Sequence, residues 1–410
     1  MMLVCILPSV ISVFLVIWLV RLIFKHESDP IFEIYRKPGK LYCLKYMLML
    51  ALLFLRKAKS KKNHDLQSES EKHKAIEKPQ PLSKSIHAID AVYFNGSNSK
   101  MSWLVCGTAR RPNKLVNGFL YLKVQEFSDK LLVSPRLPDT CMKQTDFEVG
   151  SYSVEGLKIM PLKPMQQWRV EYDGAMRFEN DYSHNMEVKL QATWTTALPY
   201  FNFASDMDPR PTARAMAKEK WSRDHFRNLK KYHQTHYEHF GTLNGIVLIN
   251  GIEFPLNLDC MRDHSFGEQR NWKNFHRYVM HFVHLENGDC ITVGVICMPV
   301  TFSSLEVGFV SISHEKCNYA VTKVEFDLYQ FGENGKPPVD YAFNFYTGNK
   351  RYSVKVNAVA CPEFFIGEES ECRIVEQHCR FEVNGLTGWG AAEWQYRHLD
   401  GLPVPMENKL

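Results

Sequence analysis

From His87 onward, apolar and polar residues alternate with a period of two. Met186, Val188, Leu190, Ala192 and Trp194 share one face of a segment whose other face carries Glu187, Lys189 and Gln191. That alternation predicts an antiparallel strand with one buried face. The same texture predicts strands over 103–106, 118–124, 168–172, 275–284, 305–313, 321–329, 352–358, 374–383 and 389–396. Residues 290–298 are almost wholly apolar, as in a strand buried on both sides. Asn117-Gly118, Asn250-Gly251 and Asn287-Gly288 supply turn signals, the second of the hairpin type I′ kind. Many short strands separated by turns predict a sandwich or a barrel.

One stretch breaks the period. Asp208-Pro209 is a helix start, and Met216, Trp221, His225 and Leu229 follow at near-helical spacing. The expectation is one long amphipathic helix over 212–232 with a solvated charged face. Ahead of the strands, residues 3–24 are nearly continuously apolar, long enough for a transmembrane helix. The positive charges follow that run, which predicts a single-pass membrane protein with its globular part in the cytosol. The shorter run 41–55 contains Lys45 and is followed by a basic cluster. It reads as a helix lying on anionic membrane lipid, with a two-span hairpin as the alternative. Residues 63–85 are polar and include Pro79 and Pro81, the texture of a flexible tether. The expected organisation is an anchor (1–24), a basic juxtamembrane segment (25–62), a linker (63–87), a first domain (88–206), a connecting helix (207–236) and a second domain (237–402).

Charge narrows the partners. Eleven Lys/Arg and three acids in 1–62 leave 39 basic against 42 acidic residues in the remainder. The globular part is not basic, so nucleic acid is not an expected partner. Eleven cysteines without a CxxC motif read as reduced thiols. No GxSxG, HExxH or GxGxxG motif occurs, and no cofactor is expected. His233, His236 and His239 are spaced three apart, but a metal is not expected there, because the third turns away on a helix.

Candidate chemistry concentrates in 236–272. Arg262, Asp263, His264, Glu268 and Arg270 surround Ser265, Phe266 and Gly267, directly after an apolar strand. Charges of both signs so close read either as a structural ion-pair corner or as polar groups delivered to one site. Arg110 and Arg111, at a strand end, read as surface groups, as partners for these acids, or as partners for a ligand carboxylate or phosphate.

The run from His236-Tyr237-Glu238 through Gly241, Gly245 and Gly251 to Arg262-Asp263-His264-Ser265, Gly267, Arg270 and Trp272 resembles the carotenoid-hydratase-like, survival-factor-like proteins. Phe266 replaces a usual Trp, and His239 a usual Gln. Residues 385–393 are similar to that family's closing strand. Residues 94–123 resemble the amino-terminal region of animal phosphoenolpyruvate synthase-like proteins. The resemblance implies a mainly β fold of two lipocalin-like antiparallel barrel or sandwich domains and a hydrophobic, lipid-like or isoprenoid-like ligand. In the hydratase branch an acid protonates a carbon–carbon double bond and water adds to the cation. Asp263 with His264 would be that acid pair, with Tyr278 and Glu393 as helpers. Arg262, Arg270, Trp272, His276, Phe282, Trp389 and Trp394 would contact the ligand, inside a barrel wide enough for one small molecule. Tyr237, Glu238, Ser265, Gly267, Arg110 and Arg111 would hold the motif together. An Asp beside two arginines favours an ionised, structural role, so ligand binding ranks above hydratase chemistry. A non-catalytic module of a phosphoenolpyruvate synthase-like system is a third reading.

Overall fold

The protein's structure, a computed structural model, describes residues 28–63, 69–144, 151–399 and 402–403. Eight strands close on themselves: β1 (Ile89–Ser97), β2 (Trp103–Arg110), β3 (Leu115–Lys123), β4 (Leu132–Val133), β5 (Gln167–Phe178), β6 (Asn185–Thr195), β7 (Thr235–Ile249) and β8 (Ile252–Gly267). Each pairs antiparallel with the next, and β8 returns to β1. Closure leaves these strands no unpaired edge. Inward residues such as Phe94, Trp168, Trp194, Leu243 and Cys260 fill the interior. Gly245 allows β6 and β7 to meet, since a Cβ there would collide with the Gln191 carbonyl oxygen. Asn250 and Gly251 both take positive φ, as the type I′ hairpin requires.

The second sheet is a half-barrel. Its main strands are β9 (Arg277–Leu285), β10 (Cys290–Met298), β11 (Phe302–Ile312), β12 (Asp340–Thr347), β13 (Lys350–Ala360), β14 (Cys372–Val383) and β15 (Leu386–Leu399). They lie in the order β11-β10-β9-β15-β14-β13-β12. Val279, Val283, Phe343, Val354 and Trp394 pack its concave interior. Alternation along β9 turns Tyr278, Met280 and Phe282 the other way, toward the closed barrel, where they meet Tyr93, Phe240 and Met261.

The four described helices are α1 (Tyr42–Asn63), α2 (Glu69–Glu77), α3 (Pro209–Lys218) and α4 (Arg223–Lys231). The single helix expected over 212–232 is two. Glu219 is extended, and the Ser222 side chain accepts from His225 N to start α4. Asp208 caps α3 ahead of Pro209, as the sequence indicates. The second domain was expected to open at 237, yet β7 and β8 belong to the first sheet, where they complete the barrel between β6 and β1.

Two further expectations change. The tether contains α2, whose last residue Glu77 is fully buried in the barrel. The single-pass membrane placement is overturned: among the described residues no helix is long and apolar enough to cross a membrane. The run 3–24 to which the span was assigned lies outside the described residues. One face of the run 41–55 is held against the folded body, while Leu44, Met47, Leu48, Leu52 and Leu55 stay exposed. Met49 packs on Ala213 and Met216, Lys45 Nζ donates to Glu219 O (2.8 Å), and Lys57 Nζ donates to Met207 O (2.9 Å).

Candidate functional site

Strand alternation divides the Arg-Asp-His run between two environments. Arg262 and His264 point into the barrel, and Asp263 points out toward the half-barrel. Arg262 Nη2 bonds Glu77 Oε1 at 2.7 Å, and its guanidinium lies 4.9 and 4.7 Å from the Trp168 and Trp194 ring centres. His264 Nε2 is 2.7 Å from Asp90 Oδ1, and its Nδ1 is 3.0 Å from the Tyr237 hydroxyl. These two residues are barrel core. The expected Asp263–His264 pair is therefore not formed, and Arg262 is enclosed in the barrel core.

The outward face assembles a different group. His236 opposes Ser265 and Glu238 opposes Asp263 across β7 and β8, and Tyr93 opposes Asp263 on the β1 side. Four polar side chains thus form a square on two adjacent strands. His236 Nδ1 is 2.6 Å from Ser265 Oγ, and its Nε2 is 3.2 Å from Glu238 Oε1. The half-barrel contributes the opposite wall. Glu376 on β14 and Glu393 on β15 are cross-strand partners, and Tyr278 on β9 donates to Glu393 Oε1 at 2.5 Å. Hydrogen bonds stitch the sheets together: Thr292 Oγ1 donates to Glu238 Oε2 (2.5 Å), Tyr93 OH to Glu376 Oε1 (2.7 Å), and Asn95 Nδ2 to the same oxygen (2.9 Å). Asn95 is therefore buried between the sheets.

Two chambers open between the sheets, not inside either barrel. The larger, about 340 Å³, has an apolar wall that includes Phe203, Met280, Phe282, Ile296, Leu305 and Val307. The smaller, about 120 Å³, runs past Thr108, Arg111, Phe119 and Phe364. Asp263, Ser265, Arg270, Trp272, Tyr278 and Glu393 line both, so the polar cluster stands where the two meet.

Burial sets the electrostatics. It pushes the Asp263 carboxyl up to about 7; nearby Glu238 and Glu393 add to the rise, while His236 and Arg270 oppose it. Burial also raises Glu393, and it raises Glu376 strongly with the Glu393 charge adding. Burial alone would lower His236, but the Glu238 hydrogen bond and the Asp263 charge outweigh it and raise the imidazole. Burial lowers Arg270 against the pull of Asp263.

Of the remaining sequence candidates, Arg270, Trp272 and Phe282 line the chambers, and three do not. Trp394 lies in the half-barrel core, giving Nε1 to Gln377 Oε1 (2.9 Å). Trp389 gives Nε1 to Asp259 Oδ2 (3.0 Å). His276 pairs with Glu333 (2.6 Å) beside Tyr35. Arg110 binds Asp90 (2.7 Å) rather than the acids of the motif, and Arg111 lines the smaller chamber. Tyr237 and Gly267 sit in the barrel wall as motif residues. Sequence reasoning missed His236, Tyr93 and Glu376. His236 and Glu238, two apart in a strand, had a readable shared face; Glu376 had no such signal.

The chain matches a family of unknown function, DUF8627, over residues 8–396, and belongs to it. No curated protein matches the sequence. Among solved structures, a putative AttH protein of Nitrosomonas europaea is 12% identical with a TM-score of 0.49, over 76% of this chain and 93% of that one. Kievitone hydratase of Nectria haematococca is 10% identical with a TM-score of 0.48, over 77% and 90%. CghA is 7% identical with a TM-score of 0.40, over 80% and 96%. The phosphoenolpyruvate synthase-like relation expected from residues 94–123 finds no support among these matches.

Proposed function

We propose that this family member is an acid–base enzyme for an apolar small molecule, adding or removing water at a carbon–carbon double bond or shifting that bond. One observation carries the reading: Glu238, Asp263 and Glu393 converge from two sheets on a cavity whose other walls are largely apolar, with Glu376 buried beside Glu393 as its cross-strand partner. Carboxylates gathered in a dry site cannot all ionise, so the cluster holds at least one acidic proton at neutral pH.

Asp263 is the acid and base. Its pKa of about 7 populates both forms, which suits a group that gives a proton and recovers it. Glu393, on the sheet opposite Asp263 and oriented by Tyr278 of the neighbouring strand, is placed to take the proton of an attacking water. His236, between Ser265 and Glu238, sets the charge that Asp263 feels. Met280, Phe282, Ile296 and Leu305 exclude bulk water and keep the acid neutral.

The test is solvent isotope uptake. Unsaturated apolar compounds are incubated with the protein in D₂O and analysed by mass spectrometry. The wild type incorporates deuterium, and Asp263→Asn lowers the rate by roughly 10²-fold or more. Equal uptake by both proteins, or none by the wild type, defeats the proposal. A second reading, carriage of a hydrophobic ligand without chemistry, is supported by the same apolar wall. It predicts bound ligand in both proteins and turnover in neither.

A further inference from the structure

Proton transfer at Asp263 makes no use of the smaller chamber, yet that chamber is furnished with donors. Arg111 is only 8% exposed, and its Nη1 donates to the Arg270 main-chain oxygen at 3.0 Å. Burial, then the neighbouring Arg270 charge, brings Arg111 down to about 10. Two guanidiniums that repel one another line this one space; Arg270 also feels the Asp263 charge, but among the described residues no carboxylate forms an ion pair with either. One more polar atom of the lining, Trp272 Nε1, is buried without a hydrogen-bond partner. Buried polar groups are nearly always paired, so an unpaired donor beside a cavity points to a ligand that pairs it. The facing surface is apolar, built from Phe119, Phe364 and Ile374.

We propose that the smaller chamber receives the carboxylate of the substrate, an unsaturated apolar monocarboxylic acid whose hydrocarbon body occupies the larger cavity. The guanidinium fork matches a planar carboxylate, and the low-dielectric walls strengthen that pairing. About 120 Å³ suffices for the head and a few carbons. Asp263 stands at the junction of the chambers, so the reacting double bond lies within a few carbons of the carboxylate. Only this last point rests on the acid–base function proposed above; the anion site does not.

Calorimetric titration of the full-length protein tests it, with trans-2-decenoate, its methyl ester, trans-2-decen-1-ol and decyl phosphate as probes. The acid binds at least about tenfold more tightly than the ester or the alcohol, a difference of about 1.4 kcal/mol. Arg111→Met removes that preference and leaves alcohol binding unchanged. Trp272→Phe, which removes the unpartnered N–H and keeps an aromatic ring, weakens the acid alone by about threefold, and it decides the matter if Arg111→Met does not fold by circular dichroism. Equal affinity for acid and alcohol, tighter binding of the phosphate, no binding of any probe, or a preference that survives both substitutions overturns the proposal. Because binding is read without turnover, a failed deuterium experiment with the acid preference intact removes the chemistry and leaves the anion site.

Discussion

Glu77 Oε1 lies 2.7 Å from Arg262 Nη2, and both side chains are 1% exposed. A residue from a short helix ahead of the barrel thus neutralises a guanidinium in the barrel core. The same carboxylate accepts from Tyr237 OH (2.6 Å), Trp168 Nε1 (2.7 Å) and Met165 N (2.9 Å).

Removing one partner strands the other. Glu77→Gln should lower stability by about 3–5 kcal/mol, read from urea unfolding, because it leaves an uncompensated buried charge. The pH dependence has a definite sign. Burial raises the Glu77 pKa, but Arg262 and the hydrogen bonds outweigh it, and the net shift is downward. Its stabilisation is therefore complete above the unfolded carboxylate range and is lost as pH falls through the lower folded value. The wild type should lose its advantage over Glu77→Gln only in acid.

Asp263 carries the opposite sign. Its folded pKa, about 7, lies above the unfolded value, so the folded state holds the extra proton. Stability should fall as pH rises from about 4 to about 7, as the buried group is forced to ionise. Asp263→Asn should flatten that part of a melting-temperature profile. An unchanged slope would show that Asp263 is already ionised in the folded protein.

His264 and Asp263 are sequence neighbours on opposite faces of β8, so their substitutions should separate. His264→Gln disturbs the bonds to Asp90, Tyr152 and Tyr237 and should cost about 1–3 kcal/mol of stability. The pH profile of turnover should stay where it was. A displaced profile would place His264 in the chemistry.

The cavity can be filled. Ile296→Trp adds bulk into space bounded by Met280 and Leu305. It should reduce ligand affinity at least about tenfold while stability changes by less than the roughly 1–3 kcal/mol typical of overpacking a filled core. Calorimetric binding alongside urea unfolding separates the two effects.

Much of this architecture was legible in alternation. The face shared by Tyr278, Met280 and Phe282 is the one that meets the closed barrel, and Asn250-Gly251 forms the expected hairpin turn. The site was legible only in part. Asp263, Arg270, Tyr278 and Glu393 do converge, but reading Arg262-Asp263-His264 as one cluster ignored the period that sends Asp263 the other way. Trp394 and Trp389 failed as lining because apolar bulk in a strand does not say which of two cores it fills. Glu376 was not legible at all. Its importance comes from register with Glu393 and a contact with Tyr93, more than two hundred residues away in sequence. The polar tether hid α2 because its anchoring carboxylate is useful only to a barrel formed later in the chain.

Neither sheet owns the larger chamber; it exists only along their seam. On an isolated barrel, Asp263 would sit on a wet outer wall and ionise like any surface carboxylate. Docking of the half-barrel strips away that water and creates the neutral acid. On the acid–base reading proposed above, any reactivity would be switched on only by assembly of the two sheets.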